Sequence, residues 1–101
     1  MLDLRELKSK APYQIKLENG TILNIKLPTQ KLLEKMVELE NYKGNTAEAV
    51  EAIYDIVTEI FNNNTNDLSF SSGEIKTDYD FAICSYIIQD YLQEVNKHLG
   101  E

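Results

Sequence analysis

Two apolar rows separated by a turn are the clearest pattern in the chain. Tyr13, Ile15 and Leu17 alternate with Gln14, Lys16 and Glu18. After Asn19-Gly20, Leu23, Ile25 and Leu27 alternate with Asn24 and Lys26. Alternation of period two on both sides of Asn-Gly predicts a β-hairpin over residues 13–27. Loop length then decides which faces are apolar. A two-residue loop pairs Leu17 with Ile22 and Ile15 with Asn24, and sends the two rows to opposite faces. A three-residue loop, Glu18-Asn19-Gly20, pairs Leu17 with Thr21, Ile15 with Leu23 and Tyr13 with Ile25. It collects Tyr13, Ile15, Leu17, Leu23, Ile25 and Leu27 on one face. The second register is expected, with Gly20 in the left-handed region forming a G1 bulge.

The rest of the chain changes to helical spacing. Pro28 stops the strand and Thr29 suits an N-cap. Leu32, Leu33, Met36, Val37 and Leu39 then form a stripe that Gly44 closes, giving a helix over about 30–43. Asn45 and Glu48 have capping-box spacing ahead of a helix over 46–62. Its stripe is Val50, Ile53, Tyr54, Val57, Ile60 and Phe61, with Glu48, Glu51, Asp55 and Glu59 mainly on the other side. Asn62-Asn63-Asn64 ends it. Thr77 and Asp80 open a third helix over about 78–99, with Phe81, Cys84, Ile87, Ile88, Tyr91, Leu92, Val95 and Leu99 on its apolar side, and Gly100 closes it. Ile83 and Tyr86 widen that side enough to meet two neighbours. Two segments stay open. Residues 1–10, with Leu2, Leu4 and Leu7 among charges, suit a short strand or a helical turn. Residues 65–77, where Leu68 and Phe70 alternate with serines before Ser72-Gly73 turns the chain, suit a short strand added to the hairpin or an irregular connection. The expected fold is α+β: one domain over 1–101, with the hairpin packed on three amphipathic helices.

Composition narrows the chemistry. One cysteine, Cys84, excludes an intramolecular disulfide and a multi-cysteine zinc site, and one histidine, His98, disfavours histidine-based metal sites and triads. Cys84 lies on an apolar helix side and reads as a buried thiol. His98, in a last helical turn, complements the helix dipole. Asp78-Tyr79-Asp80 has the look of a metal pair, but acidic residues at a helix start are explained by capping and the dipole. Gly20, Gly44, Gly73 and Gly100 are isolated, so no phosphate-cradling loop is present. Asn63-Asn64-Thr65 matches a glycosylation pattern; without an export signal at the N-terminus, the match reads as accidental. No catalytic, cofactor or metal residue is expected. No apolar run is long enough for a membrane span, and the chain is expected in the cytoplasm.

Charge points to protein partners. The net charge is −7, and nine of the ten basic residues are lysine. Nucleic-acid binding is disfavoured. Residues 1–31 carry six basic and three acidic side chains, whereas residues 32–61 and 62–101 each carry two basic and seven acidic. A mildly basic end joined to an acidic body suits an ordinary solvated surface, or an end that attracts the acidic flank of another copy and stacks head-to-tail into a ring or spiral. The outer hairpin face, with Lys16, Ile22, Asn24 and Lys26, is the candidate self-association surface. Charge reversal at Lys16 and Lys26 is then expected to weaken association at low salt. Tyrosine is favoured at interfaces. Ile83, Tyr86, Ile87 and Asp90 are the candidate partner-binding residues.

The stretch Tyr13-Gln14-Ile15-Lys16-Leu17-Glu18-Asn19-Gly20-Thr21-Ile22-Leu23-Asn24-Ile25-Lys26-Leu27-Pro28-Thr29 runs from hairpin into Pro-Thr and an acidic helix. With a second acidic helix, a polar loop and the C-terminal Tyr86-Ile87-Ile88-Gln89-Asp90-Tyr91-Leu92-Gln93-Glu94-Val95, it resembles the small tail assembly chaperones of long-tailed bacteriophages. The resemblance covers most of the chain in architecture, and its specific motif is Asn19-Gly20 followed by Pro28-Thr29. It implies a non-enzymatic protein of a bacterial host cell that self-associates and binds the aggregation-prone tape measure protein during tail morphogenesis. The rival reading is an acidic protein-binding module of a mobile element, such as a DNA-mimic inhibitor, which arrays carboxylates at phosphate-like spacing.

Overall fold

The computed structural model describes residues 1–5, 11–39 and 46–99. The architecture is α+β: a two-stranded antiparallel hairpin followed by four helices. The strands are β1 (Tyr13–Lys16) and β2 (Ile22–Ile25). The helices are α1 (Gln30–Glu38), α2 (Thr46–Asn62), α3 (Ser72–Asp78) and α4 (Phe81–Leu99).

The hairpin adopts the three-residue-loop register. Tyr13 pairs with Ile25 and Ile15 with Leu23. The Leu17 N–H donates to the Thr21 carbonyl (2.7 Å) and the Gly20 N–H to the Leu17 carbonyl (2.9 Å). Gly20 sits at φ +90°, a conformation that a Cβ disfavours. Leu23 and Ile25 are fully buried, Tyr13 is buried, and Ile15 and Leu17 are half-buried against the core. Leu27, expected on the same face, is exposed where the chain leaves the sheet.

Thr29 caps α1 as expected, its Oγ1 accepting from the Leu32 N–H at 3.2 Å. The helix is shorter than 30–43: it ends at Glu38 with Leu39 as C-cap. Leu32 and Met36 are buried, while Val37 turns to solvent because it stands about 100° around the helix from Met36. The expected stop at Gly44 and cap at Asn45 lie outside the described residues, as do Leu7, Gly100 and the side chains of His98 and Leu99. At the N-terminus, Leu4 and Arg5 are helical.

α2 is the central element, burying Ile53, Ile56, Val57, Ile60 and Phe61. It packs against α1, α3, α4 and β2. In the segment 65–77, residues 65–71 form an irregular connection, as one of the two readings had it, but residues 72–78 make a helix that neither reading included, so four helices follow the hairpin among the described residues rather than three. No strand forms there; residues 72–78 make α3, with Ser72 and Gly73 in its first turn. Ser71 caps it: Oγ accepts from the Glu74 N–H and donates to Glu74 Oε1. Ile75 is the side chain α3 buries. Phe70 packs edge-on against Phe61 at 5.4 Å, and Leu68 is exposed. α4 therefore starts at Phe81 rather than 78, with Asp80 accepting from the Ile83 N–H at 2.8 Å. It buries Cys84, Ile88, Tyr91 and Val95, while Phe81 is exposed at its first turn. Among the described residues no helix is long and apolar enough to cross a membrane.

Candidate interaction surface

The two edges of the hairpin differ. In an antiparallel pair, residues alternate between facing the partner strand and facing outward with their N–H and C=O groups. The Leu17–Thr21 bond sets the phase: Ile22, Asn24 and Lys26 direct their main-chain groups away from β1, and Gln14 and Lys16 direct theirs away from β2.

The β2 edge is covered by the asparagine segment that follows α2. The Lys26 N–H donates to the Asn63 carbonyl, and the Thr65 N–H to the Asn24 carbonyl, both at 2.9 Å. Ile25 and Asn64 form an isolated bridge. Side-chain amides complete the cover. The Asn24 N–H donates to Asn66 Oδ1, and Asn66 Nδ2 donates to the Ile22 carbonyl. Asn63 Nδ2 donates to the Lys26 and Leu27 carbonyls. Asn64 is buried and holds the segment in shape: Nδ2 donates to the carbonyls of Phe61 and Leu68, and Oδ1 accepts from the N–H groups of Asn66 and Leu68. Among the described residues, nothing pairs with the outer edge of β1.

The flank of α4 lies along that open edge. Tyr13 Oη donates to Asp90 Oδ2 at 2.7 Å, and the Tyr13 and Tyr91 rings meet at a 48° tilt with centroids 5.2 Å apart. Tyr91 lies about 100° around the helix from Asp90 and donates its hydroxyl to the Lys26 carbonyl at the end of β2. At this end of the hairpin the α4 axis thus lies beneath the gap between the strands, with its Asp90 side under β1. Ile83, Ile87, Asp90 and Glu94 share that side at spacings of four and three, and Tyr86 stands beside them. At the other end of the strand, Leu17 and Glu18 line a shallow pocket with Asp78 and Tyr79. The helical run from Phe81 to Asp90 is roughly 14 Å, and the strand from Leu17 to Tyr13 is roughly 14 Å, so helix row and strand edge are of matching length.

Each proposed contact residue has a definite place here. Ile83 is 45% exposed and Tyr86 is 69% exposed. Ile87 and Asp90 are half-buried, Asp90 as the acceptor of the Tyr13 hydroxyl. Lys16 and Ile22 face each other across the ladder on the outer sheet face, both exposed. Asn24 accepts from Gln14 Nε2, and Asn24 and Lys26 carry the main-chain groups that the asparagine segment covers.

Electrostatics are set by burial more than by charge pairing. Burial, reinforced by the Asp90 carboxylate, pushes the Tyr13 hydroxyl well above its usual range. Burial pushes Tyr91 up to about 12 and Cys84 up to about 11, so Cys84 is an un-ionised thiol at neutral pH. Asp78 ends α3 and Asp80 caps α4, which accounts for the Asp-x-Asp spacing. On the outer face of α2, Glu51 pairs with Lys76 at 2.8 Å and Glu59 with Lys35 at 2.9 Å. These lysines interrupt the acidic row. The asparagine cover was missed in the sequence because its bonds join residues some forty positions apart; Ser71-x-x-Glu74 was a legible capping box ahead of Ile75.

No protein-family model, curated protein or solved structure matches the chain.

Proposed function

We propose that the chain is a non-enzymatic tail assembly chaperone of long-tailed bacteriophages or their prophages, acting in the cytoplasm of the bacterial host. It self-associates and binds the tape measure protein. The observation that supports this reading best is the pairing of an open strand edge with an exposed apolar row, Ile83, Tyr86 and the half-buried Ile87. A strand edge binds extended polypeptide through main-chain hydrogen bonds, and alternate side chains of the added strand reach apolar positions beside it. That combination suits a long apolar client better than a small substrate. The net charge of −7 keeps a loaded complex dispersed. The DNA-mimic reading needs an unbroken anionic array, and the Lys35 and Lys76 pairs weigh against one on α2.

The test is binding of a purified tape measure fragment. Ile83→Asp and Tyr86→Asp place a charge in the row and weaken binding by about tenfold or more each. Asp55→Asn, on the outer face of α2, leaves binding unchanged. Full affinity in both row variants overturns the reading.

A further inference from the structure

We infer that the open β1 edge and the α4 row beside it form a self-complementary surface that pairs with a second copy of this chain about a two-fold axis at Ile15. The inference rests on the reading above and names the resting occupant of the same site. Three observations carry it. The first is the alternation of the strand: Gln14 and Lys16 both present outward N–H and C=O groups, while the equivalent groups of β2 are already taken by Asn63, Thr65 and Asn66. Antiparallel pairing centred on Ile15 sets Gln14 of each copy against Lys16 of the other. Each such pair exchanges two main-chain bonds, four in all. A register centred on Lys16 opposes like charges, and one centred on Gln14 sets Lys16 against Pro12, which has no N–H to give.

The second observation is the placement of α4. Antiparallel edge pairing keeps the helix-covered faces of the two sheets on one side. At the Tyr13 end, the Asp90–Tyr13 and Tyr91–Lys26 bonds set each α4 axis beneath the gap between its own β1 and β2. Two such helices are then separated by roughly two strand spacings, about 9.6 Å. This falls within the range of about 8–10 Å at which helices pack.

The third is what those helices would place between them. The axis passes near Ile83, Tyr86 and Ile87, so exposed apolar side chains of one copy cover the same residues of the other. The helices run antiparallel across the axis, so Asp80 of each copy approaches Glu94 of the other, and added salt strengthens the pairing. Head-to-tail stacking of a basic end on an acidic body responds to salt in the opposite sense.

The full chain tests this without any client. Gln14 and Lys16 are exposed, and each is replaced singly by cysteine, Gln14→Cys or Lys16→Cys; native Cys84 is fully buried. Directly opposed bonded residues have Cα atoms about 5.5 Å apart, within disulfide range. When the two variants are mixed and oxidised, the mixed dimer forms beyond its statistical share over either homodimer. Tyr86→Asp, at a side chain the fold does not use, lowers the yield of mixed dimer about tenfold. A statistical mixture, no disulfide, or indifference to Tyr86→Asp overturns the pairing. The locked mixed dimer is then offered the tape measure fragment. Loss of binding supports a shared site, and undiminished binding overturns it. Failure of the disulfide step concerns the pairing, whereas failure of the wild-type chain to bind the fragment concerns the chaperone reading.

Discussion

The two edges of one short hairpin meet different fates. β2 is bordered by a segment that supplies main-chain and amide partners to the Ile22 carbonyl, to both main-chain groups of Asn24 and to the Lys26 N–H, although no third strand forms among the described residues. β1, four residues long and bearing a single lysine, is left with outward groups beside exposed isoleucine and tyrosine. The lesson is that side-chain amides can extend the cover of an edge beyond the few main-chain bonds that begin it. Where such closure covers one side only, the other side is the one available for recognition.

Matched truncations are the strongest way to break this comparison. Leu23→Ala, on the covered strand at a fully buried position, should cost about 2–5 kcal/mol in urea unfolding. Ile15→Ala, half-buried on the open strand, should cost about 1–2 kcal/mol. Equal losses would show the two strands to be equally embedded.

Next comes the cover itself. Asn64→Ala removes four hydrogen bonds at a buried position. It should destabilise the fold by about 1–3 kcal/mol and speed amide exchange at Lys26 and Thr65. Unchanged exchange would mean that the segment holds β2 without Asn64.

A smaller effect is expected at the end of β2. Tyr91→Phe deletes the bond to the Lys26 carbonyl and should cost about 0.5–1.5 kcal/mol. It also changes the alkaline limb. Tyr13, Tyr79 and Tyr91 all ionise above the ordinary tyrosine value of 10.0 in the folded state, burial being the leading cause at each. The unfolded chain therefore releases these protons first as pH rises. Stability is fully present below pH 10 and falls as pH climbs above it. The melting temperature of wild type should drop through that window, and that of Tyr91→Phe should drop less steeply. A parallel decline in both would remove Tyr91 as a cause.

The smallest effect is at the open edge. Gln14→Ala and Lys16→Ala should each shift stability by less than about 0.5 kcal/mol, and the Gln14 and Lys16 amides of the monomer should exchange faster than that of Asn24. Protection at Gln14 and Lys16 in dilute monomer would show the edge to be closed within the chain.

The hairpin register was legible because period two leaves no compromise. A loop one residue shorter puts half the apolar set in water, so Tyr13, Ile15, Leu23 and Ile25 settle the turn. The helical cores of α2 and α4 were legible for the same kind of reason, with Ile56 the buried position that the stripe did not include. α3 was not legible as an element because its seven residues bury only Ile75, too little to impose a period. The asparagine cover was hidden more deeply. Asparagine favours turns locally, and nothing within ten residues of Asn63 or Asn66 indicates that its amide will bond a strand across the fold. The Asp90–Tyr13 bond was hidden for a similar reason: Asp90 reads as solvated until the helix is laid beneath the sheet.

The strap formed by Asn63 bears on how the protein can be produced. Its Nδ2 is the atom to which an oligosaccharide would be attached in the Asn63-Asn64-Thr65 tripeptide, and in the folded chain that atom donates to the carbonyls of Lys26 and Leu27, each at 3.1 Å. Attachment would consume one of those N–H groups and wedge a bulky sugar between strap and sheet. Export through a eukaryotic secretory route sets sugar transfer against closure of the hairpin. Replacing Thr65 by alanine abolishes the recognised tripeptide while leaving the main-chain bond from residue 65 to Asn24 in place.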